Sequence, residues 1–314
     1  MRHILIIFSI FLISLTIISC SKSSDDSKGT APVIAEVTKV TTPTNDTTPN
    51  YTFSSTETGT ISYGGSCSSS NTIAISGNNT ITLDSLSDGT YSDCIIVVRG
   101  TTGNLSNTLT LTTFIVNTTT PTISSIYPTD NQSGVSISDN ISVTFSEAMD
   151  TTSFTTNTSN TTCSGSLQLS SDNFSSCFQV SSSPSNSNSD KTYTVDPSGS
   201  LLYSTSYKIR VTTGVKDTAG NTLSSQYETS SGFTTTGLFV TVGESGTILT
   251  SPDGTTWTER TSGTSIFLIG VTYGNGLFVS VGDSGTILTS PDGTTWTERT
   301  FGTYISLSGV TSIE

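Results

Sequence analysis

GLFVTVGESGTILTSPDGTTWTERT, Gly237 to Thr261, returns as GLFVSVGDSGTILTSPDGTTWTERT, Gly276 to Thr300. The offset is 39 residues, and 23 of 25 positions match. The two changes, Thr241 against Ser280 and Glu244 against Asp283, are conservative. Each copy reads as short strands at Leu238 to Val242 and Thr247 to Ser251, a tight Pro-Asp-Gly turn, and a third strand near Trp257. Between the copies, Ile266 to Gly276 supplies a fourth. Apolar residues alternate with Ser and Thr here, as strands with one buried face require.

Four strands in about 40 residues is the period of a β-propeller blade. The SPDGTTW turns resemble a shortened Asp-box, the hairpin of sialidase-like propellers, one residue short because Gly254 follows Asp253 directly. In that family the aspartate caps the turn and the tryptophan packs between blades. The resemblance therefore implies that Asp253, Trp257, Asp292 and Trp296 are architecture rather than site. Sialidase chemistry needs converging arginines, a Tyr nucleophile with a Glu partner, and an acid. After residue 19 the arginines are Arg99, Arg210, Arg260 and Arg299, and the last two are one repeat position. The single His is His3, which leaves no His-based triad. Near-identical blades build equivalent surfaces, not one convergent site. The chain is expected to be no enzyme and to need no cofactor. The first copy has no inner strand of its own, and Gly309-Val310-Thr311 aligns with Gly270-Val271-Thr272 before register is lost at Ser312-Ile313-Glu314. About two blades are expected, the front of a longer propeller cut short by a frameshift, a stop or a gene-model error.

Upstream, residues 119–236 hold PTISSIYPTDNQSGVSISDNISVTFSEAMDTTSF from Pro121. Ile141, Val143 and Phe145 alternate with Ser142, Thr144 and Ser146. Tyr207, Ile209 and Val211 alternate with Lys208, Arg210 and Thr212. Pro128 with Asp130, Gly134-Val135, the Ile141–Asp150 run, YKIRVTTGVKDTAGNTL (207–223) and GFTTT (232–236) resemble the Ig-like domain class of bacterial surface-layer proteins. That resemblance implies a β-sandwich. Glu147 and Asp150 follow a strand end without a nucleophile nearby and read as solvated turn residues, not an acid/base pair. Asp217 and Asn221 carry oxygens that a weak Ca²⁺ site could use. A cation of that kind wants six or more oxygens, and an Asx or Gly turn is the simpler reading. Cys163 and Cys177 bracket SGSLQLSSDNFSS, read as a disulfide-closed hairpin laid on the sandwich. Ser181 to Asp190 reads as a mobile loop.

Residues 31–118 show six or seven short runs between Gly, Asn, Asp and Pro, the spacing of a sandwich. DGTYSDCIIVVRGTTGN (88–104), FIVNTTTP (114–121) and PNYTF (49–53) resemble bacterial Ig-like repeats. Gly100 stands where such repeats often carry an Asp, so no calcium ligand is carried over there. Cys67 and Cys94 are the only cysteines of this stretch, and an exported chain pairs them. Free thiols or a metal site are the alternatives; two Cys without His make a poor zinc site.

Residues 1–19 read as a signal peptide, with Arg2 and His3 before an apolar run from Ile4 to Ile18. Ile17-Ile18-Ser19-Cys20 resembles a bacterial lipobox, which implies acylation of Cys20 and anchoring in a membrane. Ser21 after it points in that family to the outer membrane. Residues 20–30 read as a flexible tether.

Ser and Thr make up roughly two residues in five, while 11% of the chain is charged and 32% hydrophobic. No helical periodicity follows residue 20, and the whole reads as all-β. The formal charge of −13 becomes −14 once residues 1–19, which carry Arg2, are removed. Such a surface repels nucleic acid. The expectation is a lipid-anchored envelope protein: two Ig-like sandwiches in tandem presenting an incomplete propeller, with the membrane as partner through Cys20 and a surface glycan or protein as ligand class. A fragment of a carbohydrate-active propeller protein and a non-functional remnant are the alternatives.

Overall fold

The computed structural model describes residues 29–299, 302 and 304–312. The signal peptide, Cys20, the tether up to residue 28, Thr300 and the last two residues lie outside the described residues. Among the described residues the paired strands whose register is known run antiparallel, and the helical segments are two single 3₁₀ turns. No described helix is long and apolar enough to cross a membrane.

The chain divides into two compact units. The first comprises residues 1–40, 48–86 and 91–113, and the second residues 41–47, 87–90 and 114–314. Strands of the first part of the chain are β1 (Ile34–Thr38), β2 (Asn50–Ser55), β3 (Gly59–Gly64), β4 (Ile73–Ala74), β5 (Gly77–Thr82), β6 (Gly89–Tyr91), β7 (Ile95–Gly100), β8 (Leu109–Thr110) and β9 (Phe114–Val116). They make sheets ordered β1-β2-β5 and β4-β3-β7-β8, with a small β6-β9 pair. Alternation decides the faces: Tyr51 and Phe53 of β2, Ile81 of β5, Ile61 of β3, and Ile96 and Val98 of β7 are buried. The sheets are tied at β1. Asn107 accepts from the Ile34 amide and donates to its carbonyl, both at 2.9 Å. Glu36 accepts from the Thr112 amide at 3.0 Å and hydroxyl at 2.7 Å.

In the second unit, β10 (Ile123–Tyr127), β11 (Ile141–Phe145), β12 (Leu167–Ser170), β13 (Ser185–Ser187), β14 (Thr192–Val195), β15 (Ser206–Val211), β16 (Tyr227–Glu228) and β17 (Phe233–Thr234) form a sandwich. One sheet runs β10-β11-β14-β13, the other β12-β15-β16 with β17 also on β15. Its core holds Val143, Phe145, Phe154, Tyr193, Tyr207, Ile209, Val211 and Phe233. Phe154 stacks on Tyr193 at 4.3 Å, and Phe145 meets Phe154 edge-on at 5.9 Å. The stretch closed by Cys163–Cys177 does lie on the sandwich, and its β12 is a full sheet member paired with β15, with Leu167 and Leu169 in the core. One expectation is corrected here. Ser181 to Asp190 is not all loop: Ser185–Ser187 is an edge strand on β14. An edge strand exposed on both faces has no apolar alternation to announce it.

The repeated stretches form two sheets. The first is β18 (Phe239–Val242), β19 (Ile248–Ser251) and β20 (Thr258–Arg260), in that order. The second is β21 (Leu268–Gly274), β22 (Leu277–Gly282), β23 (Ile287–Ser290) and β24 (Thr297–Arg299). Ile248, Leu268 and Leu288 make a shared core, with Val240, Val242 and Trp296 packed against it.

Candidate functional site

Within each repeat the Ser-Pro-Asp-Gly stretch closes on itself. Asp253 Oδ1 accepts from the Thr255 and Thr256 amides, both at 2.8 Å, and from the Ser251 hydroxyl at 2.9 Å. Asp292 Oδ1 accepts from the Thr294 and Thr295 amides at 2.8 Å and from the Ser290 hydroxyl at 3.0 Å. The Thr256 and Thr255 amides hold the Asp253 carboxyl far below the usual carboxylate range. At Asp292 burial pushes the other way, and the Thr295 and Thr294 amides outweigh it. Gly254 and Gly293 take φ of +73° and +70°, which suits glycine at the turn. The arginines are equally occupied: Arg260 Nε donates to Thr250 Oγ1, and Arg299 Nε to Thr289 Oγ1, each at 2.8 Å.

The tryptophans part company. Trp296 Nε1 donates to the Gly293 carbonyl at 3.0 Å, and its ring lies 6.4 Å from Phe278. Trp257, expected to pack between sheets, is instead 42% exposed. Its sequence surroundings are the same, so the difference is one of neighbours. Phe239 is likewise 57% exposed, where its twin Phe278 is 5% exposed.

A second cluster lies around Asp217, which is 1% exposed. Its Oδ1 accepts from the Ala219 amide at 2.9 Å and the Asn221 amide at 2.7 Å, closing an Asx turn. Its Oδ2 accepts from Asn221 Nδ2 at 2.8 Å and Asn117 Nδ2 at 3.3 Å. Asn117 Nδ2 also donates to Glu147 Oε2 at 3.0 Å. Burial raises the pKa of Glu147, and the Asp217 carboxyl adds to this against the Asn117 hydrogen bond and the Lys191 charge. Glu147, half-buried in the bend after β11, is thus tied into this cluster rather than fully solvated. Its tie to Asp217 spans 70 positions, beyond the reach of a local pattern. Asp150 does cap a turn, accepting from the Thr152 amide at 2.9 Å and hydroxyl at 2.7 Å. Among the described residues no three His, Cys, Asp or Glu are grouped to hold a metal ion.

Disulfides join Cys67 to Cys94 and Cys163 to Cys177. The sequence reading missed the reach of Asp130. Its Oδ2 accepts from the Ser230 amide at 3.1 Å and hydroxyl at 2.6 Å, and its Oδ1 from the Ser231 amide at 3.0 Å and the Gly232 amide at 2.7 Å.

Among curated proteins, none matches this chain. Among solved structures, the chain is similar to the N-terminal part of the bacterial S-layer protein SbsC at 16% identity and a TM-score of 0.27, covering 60% of this chain and 42% of that one. It is similar to domains 1-6 of surface layer protein SbsC at 16% identity and a TM-score of 0.26, covering 62% of this chain and 26% of that one. The chain therefore spans less than half the length of these S-layer structures. Residues 117–235 match the family model described as bacterial Ig-like domain. The sandwich built on β11 and β15 is a bacterial Ig-like domain.

Proposed function

We propose that this chain is a non-enzymatic protein of the bacterial cell surface, held to the membrane by acylated Cys20. Its Ig-like part serves as a stalk for propeller-type sheets that present a binding or structural surface to a glycan or protein. The observation that carries the reading is the use of the repeats' polar side chains. Asp253, Asp292, Arg260 and Arg299 all bond inside their own sheets. The repeats share the same strand and turn sequence twice, which suits repeated weak contacts rather than convergent chemistry. The bacterial Ig-like domain and the Ile17-Ile18-Ser19-Cys20 sequence support the envelope location. Cell fractionation of a Cys20→Ser variant tests the anchor. The variant should leave the membrane fraction; retention there with a different mature amino terminus defeats the reading.

A further inference from the structure

The two repeat sheets are an internal comparison, since nearly the same sequence folds once with four strands and once with three among the described residues. In the complete sheet, β21 pairs along β22: Leu268 with Gly282, Gly270 with Val281, Val271 with Ser280, Thr272 with Val279 and Tyr273 with Phe278. In the incomplete sheet the matching edge of β18 has no such strand neighbour among the described residues. The residues 39 positions before β21 are not available to it, because Phe233 and Thr234 are paired with β15 in the Ig-like sandwich. The consequence shows in burial. Ser280 is fully buried and Thr241, its twin, is exposed; Phe278 is buried and Phe239 is 57% exposed. An unpaired apolar strand edge is a template for another strand. A groove of about 220 Å³ lies between this sheet and the next, lined by Phe239 and Val240 on one side and Val271 and Tyr273 on the other.

The chain also carries a segment of matching kind. Leu307-Ser308-Gly309-Val310-Thr311 repeats Leu268-Ile269-Gly270-Val271-Thr272 at four of five positions. It already stands as β21 stands. The Leu307 amide donates to the Gly282 carbonyl at 3.0 Å, as the Leu268 amide donates to Gly243 at 3.0 Å. Ser312 Oγ donates to the Tyr273 carbonyl at 2.9 Å, which lays the segment alongside β21. Yet residues 304–312 are in no sheet, and Tyr304 and Ile305 are 93% and 63% exposed.

We propose that residues 307–312 of one copy of this chain pair with β18 of a second copy, completing its three-strand sheet by strand addition. The β21–β22 register carried back 39 positions sets the pairing: Leu307 with Gly243, Gly309 with Val242, Val310 with Thr241, Thr311 with Val240 and Ser312 with Phe239. Donor and acceptor are different surfaces, so the contact is head-to-tail, which builds a ring when the rotation between copies closes and a fibre when it does not. Strand addition rests on the repeat and the edge. Closure and ring size alone rest on the propeller reading: taking the two repeat sheets formed by the described residues, closure at roughly four to eight blades takes two to four copies.

Light scattering across a concentration series, on the full chain carrying Cys20→Ser, reads the assembly. The mass should rise to between about two and four chain masses, and Val310→Pro, in a segment outside any sheet, should return it to one. A Thr241→Cys/Val310→Cys variant should form reducible intermolecular cross-links that neither single variant forms. Chains that stay monomeric at every concentration, an intramolecular cross-link, or assembly that survives Val310→Pro would each overturn strand addition. A cross-linked open fibre in place of a ring would overturn the propeller reading and leave the strand addition standing.

Discussion

Leu307 bonds to Gly282 as Leu268 bonds to Gly243, amide to carbonyl at 3.0 Å in both pairs. The two glycines are nonetheless in unlike surroundings. Both are extended, with φ of −163° and −168°, so neither needs to be glycine for its backbone. A Cβ on Gly282 would stand 2.2 Å from the Phe267 carbonyl oxygen, whereas the nearest atom to one on Gly243 is Thr247 Cβ at 3.9 Å. Gly282→Ala should therefore destabilise the repeat sheets by about 1–3 kcal/mol or more, and Gly243→Ala should change little in dilute solution. The only two tryptophans of the chain, Trp257 and Trp296, lie in the repeats. Urea unfolding followed by tryptophan fluorescence isolates this region. Equal losses at the two glycines would contradict the idea that β18 lacks an inner neighbour.

Asp130→Ala should weaken the Ig-like domain and spare the repeats. The carboxylate gathers four donors from Ser230, Ser231 and Gly232, across 100 positions of chain. The Ser230 hydroxyl and those amides keep its pKa low. Removing a charged acceptor of this kind costs about 2 kcal/mol. Circular dichroism should show the loss while the tryptophan transition stays in place. An unshifted dichroism transition would mean that water replaces the clasp at no cost.

Much of this was legible in the residues themselves. Ile141, Val143 and Phe145 are buried as their alternation with Ser and Thr required. Asp253 and Asp292 sit in the turns that Pro-Asp-Gly announced. What stayed hidden depends on neighbours distant in the chain. Ser185–Ser187 pairs through its backbone, so its side chains carry no signal. Trp257 and Trp296 have the same local sequence and different exposure, because only the second has a packed neighbour in Phe278. No local pattern could separate them. Glu147 meets Asp217 only after the sandwich has closed.

The turn aspartates also set an acid limit. A carboxyl whose folded pKa lies below its unfolded value stabilises the fold above the unfolded value, and that contribution is lost as pH falls toward the folded one. Asp130, Asp150, Asp253 and Asp292 all have lowered pKa values, and Asp172 is held near about 2 by Ser176 and Ser170. Unfolded aspartate titrates at about 3.9. The melting temperature should thus be flat near neutrality and fall as pH drops below about 4. Glu147 acts in the opposite direction, since its raised pKa favours the fold at lower pH. Asp253→Asn with Asp292→Asn should flatten the acid slope of the tryptophan-detected transition, and an unchanged slope would place the acid sensitivity outside these turns.

The disulfides give the last prediction, because each closes a loop inside a different compact unit. Cys163–Cys177 spans 14 residues and Cys67–Cys94 spans 27. By chain-entropy arithmetic each stabilises its fold by about 3 kcal/mol, the longer loop slightly more. The loops differ in what they hold. Inside Cys163–Cys177 runs β12, whose Leu167 and Leu169 lie in the core. Cys163→Ser with Cys177→Ser should therefore lower the stability of the Ig-like domain without freeing β12 from β15, since four residue pairs from Leu167 to Ser170 tie β12 to β15 independently of the bond. Hydrogen exchange should show protection kept at Leu167 and Leu169 but reduced in proportion to the global loss. Complete loss of protection confined to β12 would mean that the disulfide, rather than the β12–β15 ladder and its core leucines, keeps that strand in the sheet.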